Sequence, residues 1–412
     1  MPSITLFHAT PATPSRLDLS PAEVAARLRH LPGLVFFDSS KASGESLSIV
    51  AAAPVEVISG HIATDWPRLQ TAVAARRLDG VRDDGLPHGF AAGWVDYDGA
   101  FCFGIYEEAL IFRHSAQCWF EIGDLAAQMA PESTAHCERP EFTSRGSRTE
   151  FCAAVARAQE YIAAGDIYQV NLSHRFSASW TGEPWAFYEA LRHYSPAPNA
   201  CYMQLGGRAI LSASPESFLK LSGRSICTRP IKGTRPRRSD PMADEKSAFD
   251  LITSPKEVSE LVMITDLERN DLGKVCEFGT VAVPELLKLE RHEQVFHLVS
   301  TVQGRLRVGV DHAAALRACF PGGSITGAPK KRAMEIIAEL ETIPRGLYTG
   351  AVGWLGFNEE SQFSIVIRTV VIEGSEATFH VGAGIVADSS PEAEWQETLD
   401  KAAGILLAAE RV

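Results

Sequence analysis

Strand-like and helix-like segments follow one another along this chain without the strict strand–helix–strand order of a doubly wound sheet. That order constrains the fold more than any other feature of the sequence. The first third is mostly strand-like. GLVFFDSS, LSIVAAAPVEVISG and HGFAAGWVDYDGAFCFGIYEEALIFR are apolar runs bounded by Gly, Pro or Asp, with few helix-period segments between them. A polar stretch over residues 131–150, PESTAHCERPEFTSRGSRTE, has the composition of a linker between residues 1–130 and 150–410. The second part opens with a helix: Ser147 and Glu150 have capping-box spacing, Phe151, Val155, Ala158 and Ile162 recur at helical period, and Gly165 can end it. Residues 167–176 alternate as a strand, with Tyr168, Val170, Leu172 and Phe176 on one face and Gln169, Asn171, Ser173 and Arg175 on the other. Further strands are predicted over 201–205, 209–213, 350–357, 363–373 and 378–386. Helices are predicted over 256–272, 329–341 (Pro329 in its first turn) and 391–409, the last capped by Ser390. The expected class is α+β.

A chain of 412 residues, 45% hydrophobic, can bury a large core without staples, as two or three domains or one intertwined one. With 39 Lys and Arg against 51 Asp and Glu, its formal net charge is −12, which argues against nucleic-acid and anionic-membrane partners. No apolar run approaches the roughly 18 residues of a transmembrane helix. The start, MPSITLFHATPATPS, lacks the basic-then-apolar layout of a signal peptide. Eight cysteines, no two closer than 15 residues, exclude CxxC redox or zinc motifs and read as reduced packing residues. The expectation is a soluble cytoplasmic enzyme.

Three constellations could carry chemistry. Glu257 and Glu260 are three apart on one predicted helix, and Glu394, Glu397 and Lys401 share a face of another. Acid pairs on two helices could hold a hard cation such as Mg²⁺; any one pair reads first as a solvated helix surface. The basic run RPIKGTRPRR holds Lys232, Arg235, Arg237 and Arg238 and suggests an anionic small substrate, or else a plain exposed turn. Lys232, between Ile231 and Gly233, is the most enclosed of the four, and a lysine held out of water beside other cations is a usable amine nucleophile. In PGGSITGAPKKRAMEII, Gly-rich sequence with Ser324 and Thr326 precedes a helix start, where backbone N–H groups can take a carboxylate or phosphate. The order is not that of a Walker A loop. Arg368 interrupts the apolar run FSIVIRTVVI, and a buried arginine needs an anion, structural or from a ligand.

Eight ordered blocks, GDIYQVNLSHRF, SASPESF, RPIKGT, SPKEVSELVMITDLERNDLGKV, VFHLVSTVQGRL, PGGSITGAPKKRAME, LYTGAVGW and VGAGIVADSSPEAEWQETLDKA, resemble the chorismate-utilising enzymes. The resemblance is dense over about 150–410 and loose before. It implies a complex α/β sandwich of two packed antiparallel sheet layers with outer helices, the first third packed onto the rest. Within the family, PIKGT with Lys232 is similar to the aminodeoxychorismate branch, whereas anthranilate-forming members carry PIAGT. Gln169 stands where isochorismate and salicylate synthases carry the lysine that activates water, so the resemblance implies that water is not the nucleophile. It further implies that Glu260 and Glu397 hold Mg²⁺, with Glu257 and Glu394 behind them or acting through water. Glu216 would be the general acid and Lys232 the nucleophile at C2. Gln169, Gly233, Thr234, His297, Ser324, Thr326, Tyr348, Arg368, Gly384 and Lys401 would line the substrate site.

The implied reaction is the amination of chorismate to 4-amino-4-deoxychorismate through a Lys232 adduct, serving 4-aminobenzoate and folate synthesis. Ammonia would come from a separate glutaminase subunit, as a heterodimer, because the chain has no amidotransferase block. The chain also stops about ten residues past Lys401, so no fused lyase is expected. Alternatives are an anthranilate synthase large subunit and a non-catalytic subunit of the same fold. Ser39 and Pro198, Asn199 and Ala200 correspond to the family's tryptophan site. The loop lacks the Asn-Pro-Ser-Pro-Tyr pattern of feedback-inhibited members, which argues against inhibition by tryptophan and leaves its binding open.

Overall fold

The computed structural model describes residues 12–39, 46–78, 84–292 and 295–412. Residues 1–11 of the N-terminal stretch and Ser40 of GLVFFDSS lie outside the described residues. Among the described residues, two antiparallel sheets of twelve and ten strands form the body of the molecule. Val35, Ile49, Met203 and Ile210 of the larger sheet and Phe90, Ala92, Trp94 and Trp354 of the smaller belong to one buried apolar layer between them. The first 130 residues feed both sheets: Val35–Asp38, Leu47–Ala51 and Ala109–Arg113 join the larger, and Glu56–His61, Phe90–Val95 and Ala100–Tyr106 the smaller. Helices cover the outer faces, so central strands are buried on both sides and lose the alternation of a half-exposed sheet. Phe90–Val95 is buried at every position.

Nine α-helices lie among the described residues: α1 (Pro21–Leu28), α2 (Trp66–Ala74), α3 (Arg148–Ala163), α4 (Pro184–Tyr194), α5 (Pro241–Ile252), α6 (Pro255–Gly273), α7 (His312–Cys319), α8 (Lys330–Leu340) and α9 (Pro391–Arg411). Side chains of α1, α4 and α9 pack on the larger sheet, and those of α2 and α7 on the smaller. Phe187 of α4 is fully buried; burying such a side chain stabilises by about 1.5–3 kcal/mol, and truncating it to alanine costs about 3–5 kcal/mol. The capping box predicted at Ser147 and Glu150 starts α3. Pro329 is the N-cap of α8, outside its first turn, because the chain there is still extended. Ser390 is the N-cap of α9 but makes no side-chain cap bond. The short helices α4, α5 and α7, absent from the sequence reading, start after the acidic residues Glu183, Asp240 and Asp311. No described helix is long and apolar enough to cross a membrane.

Two crossings between the sheets prepare the site. Arg208–Ser214 belongs to the larger sheet and Ser217–Ser222 to the smaller, so Pro215 and Glu216 span the gap. Glu360–Ile365 and Thr369–Glu373 belong to the smaller and larger sheets, so residues 366–368 cross back. The strand predicted over 363–373 is therefore two strands, and Arg368 sits between them with a left-handed φ of +49°. The apolar run concealed the break because the strands on both sides of it are buried. The crossings are tied together. Ser214 Oγ donates to the Ile365 carbonyl (2.6 Å), the Ile365 N–H to the Glu216 carbonyl (3.1 Å), and the Ala213 N–H to the Arg368 carbonyl (3.1 Å).

Candidate active site

Lys232 lies on the strand Ile231–Pro236, at the edge of the smaller sheet. Lys232 faces Leu298 and Thr234 faces His297, so Gly233 is an extra residue, a bulge with φ +74°. Glycine adopts that backbone without strain, and a bulge re-aims its neighbours. A Cβ on Gly233 would also fall 2.6 Å from Leu251 Cδ1 and 2.9 Å from Glu257 Oε2. The lysine amine reaches the strand Glu376–Ile385: a Cβ on Gly384 would lie 3.8 Å from Lys232 Nζ and 2.4 Å from Gln169 Nε2. The basic run around it is divided. Arg237 is committed to Asp244 (2.9 Å) and Arg235 lies 3.6 Å from Glu257, whereas Lys232 acts on Glu216, Glu260 and Glu397. Of the two readings of this run, Arg237 fits the turn, tied to Asp244 of α5, while Lys232 faces the site acids.

Glu216 is 7% exposed. Burial pushes its carboxyl above the usual range, against a hydrogen bond from Ser324 and the charges of Lys232, Lys401 and Arg368. Arg368 experiences the converse: burial lowers it and Glu216 opposes the shift. Ser324 sits in the short turn Gly323–Ile325, pressed onto α6. There the Gly323 N–H donates to Glu268 Oε1 (3.1 Å). Glu268, eight residues beyond Glu260, was not singled out from the sequence, although a third acid so placed on α6 was there to be read.

The acids on α6 and α9 differ within each pair. Glu260 is 7% exposed with Oε1 unpartnered, and burial raises its carboxyl. Glu394 is 2% exposed; it accepts from Lys256 Nζ (3.0 Å) and Ser389 Oγ (2.7 Å) through Oε1, and its Oε2 is unpartnered. Glu257 lies by Arg235, and Glu397 accepts from Lys401 Nζ (2.7 Å). Burial works to raise Glu397, but Lys401, Lys256 and Lys232 outweigh it and leave it lowered. Among the described residues no group of three or more His, Cys, Asp or Glu forms a ready metal cluster. The orphaned oxygens of Glu260 and Glu394 nonetheless suit a hard cation that takes one or two carboxylates and keeps its waters.

The remaining residues surround this centre. Gln169 opens the strand Gln169–Ser179 and is buried with Oε1 unpartnered. The His297 Nδ1 and Thr234 Oγ1 are 3.0 Å apart, and burial, with His292 and Arg368, pushes His297 down to about 4, so the ring is neutral near pH 7. Burial raises Tyr348 to about 12, and its ring stacks on His380 at 5.3 Å. Thr326 is fully buried and its hydroxyl donates to the Gly322 carbonyl (3.0 Å), which commits it to the loop. Lys401 Nζ also donates to the Gly382 carbonyl (2.9 Å). The sequence reading missed Arg345, which bonds Glu341 (2.8 Å) and the carbonyls of Asn171 (2.7 Å) and Ile325 (3.1 Å), bracing the Gln169 strand against the Ser324 turn.

Ser39, Pro198, Asn199 and Ala200 do not join this group. They line a cavity of about 40 Å³ between the sheets. Ser39, Pro198 and Asn199 also border an open cleft of about 1070 Å³ that extends to Thr234, His297 and Arg368. Asn199 Nδ2 donates to the Pro215 carbonyl (3.2 Å), next to Glu216.

The arrangement sets a primary amine, a buried carboxyl whose proton affinity burial raises, and several cations beside carboxylates with free oxygens. Such a set can protonate a leaving hydroxyl while an amine attacks an anionic substrate. The model of the chorismate binding enzyme family matches residues 34–407. Anthranilate synthase component 1 of Methanothermobacter thermautotrophicus is 41% identical over 75% of this chain and 68% of its own length. Aminodeoxychorismate synthase component 1 of Bacillus subtilis is 46% identical over 67% of this chain, which spans only 57% of that protein. In structure, anthranilate synthase component I of Streptococcus pneumoniae superposes with a TM-score of 0.79 at 30% identity, covering 89% of this chain and 93% of the other. The chain belongs to the chorismate binding enzyme family.

Proposed function

We propose that this chain aminates chorismate at C4, giving 4-amino-4-deoxychorismate, with Lys232 as the first nucleophile. The observation that carries the reading is the Gly233 bulge beside Lys232, whose amine lies near Gly384 and acts on the buried Glu216, a carboxyl that burial raises. The Lys232 amine forms a bond to C2 of chorismate. The ring double bond shifts toward C4, the C4–oxygen bond breaks, and Glu216 gives its proton to the departing hydroxyl, which leaves as water. Ammonia then adds at C4, the double bond shifts back, the C2–nitrogen bond to Lys232 breaks, and Glu216 recovers a proton. Arg368, Lys401 and Ser324 hold the substrate carboxylates. Glu260 and Glu397, with Glu257 and Glu394 behind them, would hold Mg²⁺, which would supply positive charge for the ring carboxylate; the free oxygens of Glu260 and Glu394 favour this, and Glu397 would share its carboxylate with Lys401. We further propose that a separate glutaminase subunit supplies the ammonia.

Relatives that make anthranilate match as well as relatives that make aminodeoxychorismate, so the product is the deciding quantity. Incubation with chorismate, Mg²⁺ and ammonium is expected to yield aminodeoxychorismate. Fluorescent anthranilate as the main product would overturn the reading. Absence of turnover in folded protein would favour a non-catalytic subunit.

A further inference from the structure

We propose that Asn171 is a further substrate-binding residue: its side-chain amide nitrogen donates a hydrogen bond to the enolpyruvyl carboxylate of chorismate. The inference rests on the proposed reading of the site, in which the ring carboxylate lies on the side of Glu260 and Glu397.

The strand Gln169–Ser179 carries Gln169, Asn171, Ser173 and Arg175 on one face and pairs antiparallel with Glu376–Ile385. Asn171 stands directly opposite Gly384 and Ser173 opposite Gly382, so neither has a side chain beside it on the neighbouring strand. Other groups fill that space. A Cβ on Gly382 would fall 2.7 Å from the Tyr348 hydroxyl, and one on Gly384 would fall 2.4 Å from Gln169 Nε2 and 3.8 Å from Lys232 Nζ. The two glycines form a floor on which Tyr348, Gln169 and Lys232 converge, and Asn171 rises from the strand alongside it. The Tyr348 hydroxyl is a close neighbour of the Asn171 side chain.

The polar side chains on this face differ in what they have left to give. Ser173 Oγ donates to Glu341 (3.0 Å), and Arg175 is paired with Glu376 (2.9 Å). Asn171 is 8% exposed, and its Nδ2 has no partner among the described residues. Its main chain is committed: the N–H donates to the Thr326 carbonyl (2.9 Å) and the carbonyl accepts from Arg345 Nη2 (2.7 Å). The residue is therefore fixed in place with its side-chain donor idle. Buried polar atoms seldom lack a partner, and one that does calls for an explanation.

An idle N–H donor beside a lysine amine suits an anion, and N–H bonds to a carboxylate are among the strong ones. Of the two carboxylates of chorismate, the ring carboxylate belongs to the acid pairs of α6 and α9, which leaves the enolpyruvyl carboxylate for Tyr348 and Asn171. The amide differs from the cations around it. Lys401 Nζ donates to Glu397 (2.7 Å) and to the Gly382 carbonyl (2.9 Å). An amide carries no charge with which to pair with Glu216 or Glu260, so its donor stays free for the substrate.

The test measures the binding, with Mg²⁺ present, of two unreactive aromatic analogues to wild type, Asn171→Ala and Asn171→Asp. One is 3-(1-carboxyvinyloxy)benzoate; the other is 3-isopropenyloxybenzoate, in which a methyl group replaces the side-chain carboxylate. In Asn171→Ala the dicarboxylate should bind about tenfold to a hundredfold more weakly, as for a lost hydrogen bond to a charged group, and the monocarboxylate within about twofold of wild type. Asn171→Asp keeps the shape and adds a negative charge, so it should weaken the dicarboxylate at least as much, and more than the monocarboxylate. It carries the test if the alanine variant does not fold. KM for chorismate should follow the dicarboxylate and rise by a larger factor than kcat falls. Equal weakening of both analogues, the mark of a merely structural residue, would overturn the proposal. So would unchanged binding of the dicarboxylate, or a wild type that binds it no tighter than the monocarboxylate. Binding is read without turnover, which separates the two readings. Anthranilate as the wild-type product defeats amination at C4 and leaves this inference standing, whereas equal weakening beside aminodeoxychorismate formation defeats only this inference.

Discussion

The two crossings between the sheets are neighbours in space and opposites in chemistry. At 214–217 the chain passes between layers carrying a buried acid; at 365–369 it returns carrying an arginine in a left-handed conformation. Burial acts on both toward neutrality, raising Glu216 and lowering Arg368, and each is the other's opposing charge. Within the sheets, by contrast, backbone groups are spent on ladder hydrogen bonds and side chains on the apolar layer. A sandwich of this kind can place reactive groups where the chain leaves one sheet for the other, because polar side chains there have the partners that the layer's interior lacks.

The comparison is most strongly broken by removing the acid. Glu216→Gln should lower kcat by about 10²–10⁴-fold, the usual worth of a general acid, with the fold unchanged by circular dichroism. Next in size is Gly384→Ala, whose methyl would fall 2.4 Å from Gln169 Nε2 and displace the amide beside Lys232; a loss of about 10²-fold in kcat/KM is expected. Arg368→Met sharpens the contrast. It should raise KM for chorismate about tenfold, as expected for a lost charged hydrogen bond. Because it removes a positive charge from beside Glu216, it should also move the basic limb of the pH profile upward. The smallest effect is on the tie between the crossings: Ser214→Ala loses the bond to the Ile365 carbonyl and should cost about 1–2 kcal/mol in denaturant unfolding.

Much of the frame was legible because its signals are local. The capping box at Ser147 and Glu150, and the long helices bearing the Glu257/Glu260 and Glu394/Glu397 pairs, fell within a few residues of their predicted bounds. The crossing at Arg368 was not legible, since an apolar run buried on both sides has no period to interrupt and the switch of sheet is a tertiary event. Glu268 and Arg345 escaped for a related reason. Glu268 stood within a family block and at a readable spacing from Glu260 but without an assigned role, and Arg345 had no visible spacing; the importance of both lies in contacts with a distant turn or across the sheet. The bulge at Gly233 was half visible: the glycine stood in the sequence, but the pairing that makes it an extra residue did not.

The central claim is that Lys232 becomes covalently joined to the substrate before ammonia enters. Protein incubated with chorismate and Mg²⁺ in the absence of ammonia, then quenched and digested, tests this by mass spectrometry of the peptide that contains Lys232. The account predicts a mass increase equal to chorismate less one water on Lys232, lost when ammonium is added before the quench and absent in Lys232→Ala. An unmodified Lys232 peptide, together with aminodeoxychorismate formed by Lys232→Ala at the wild-type rate, would contradict it.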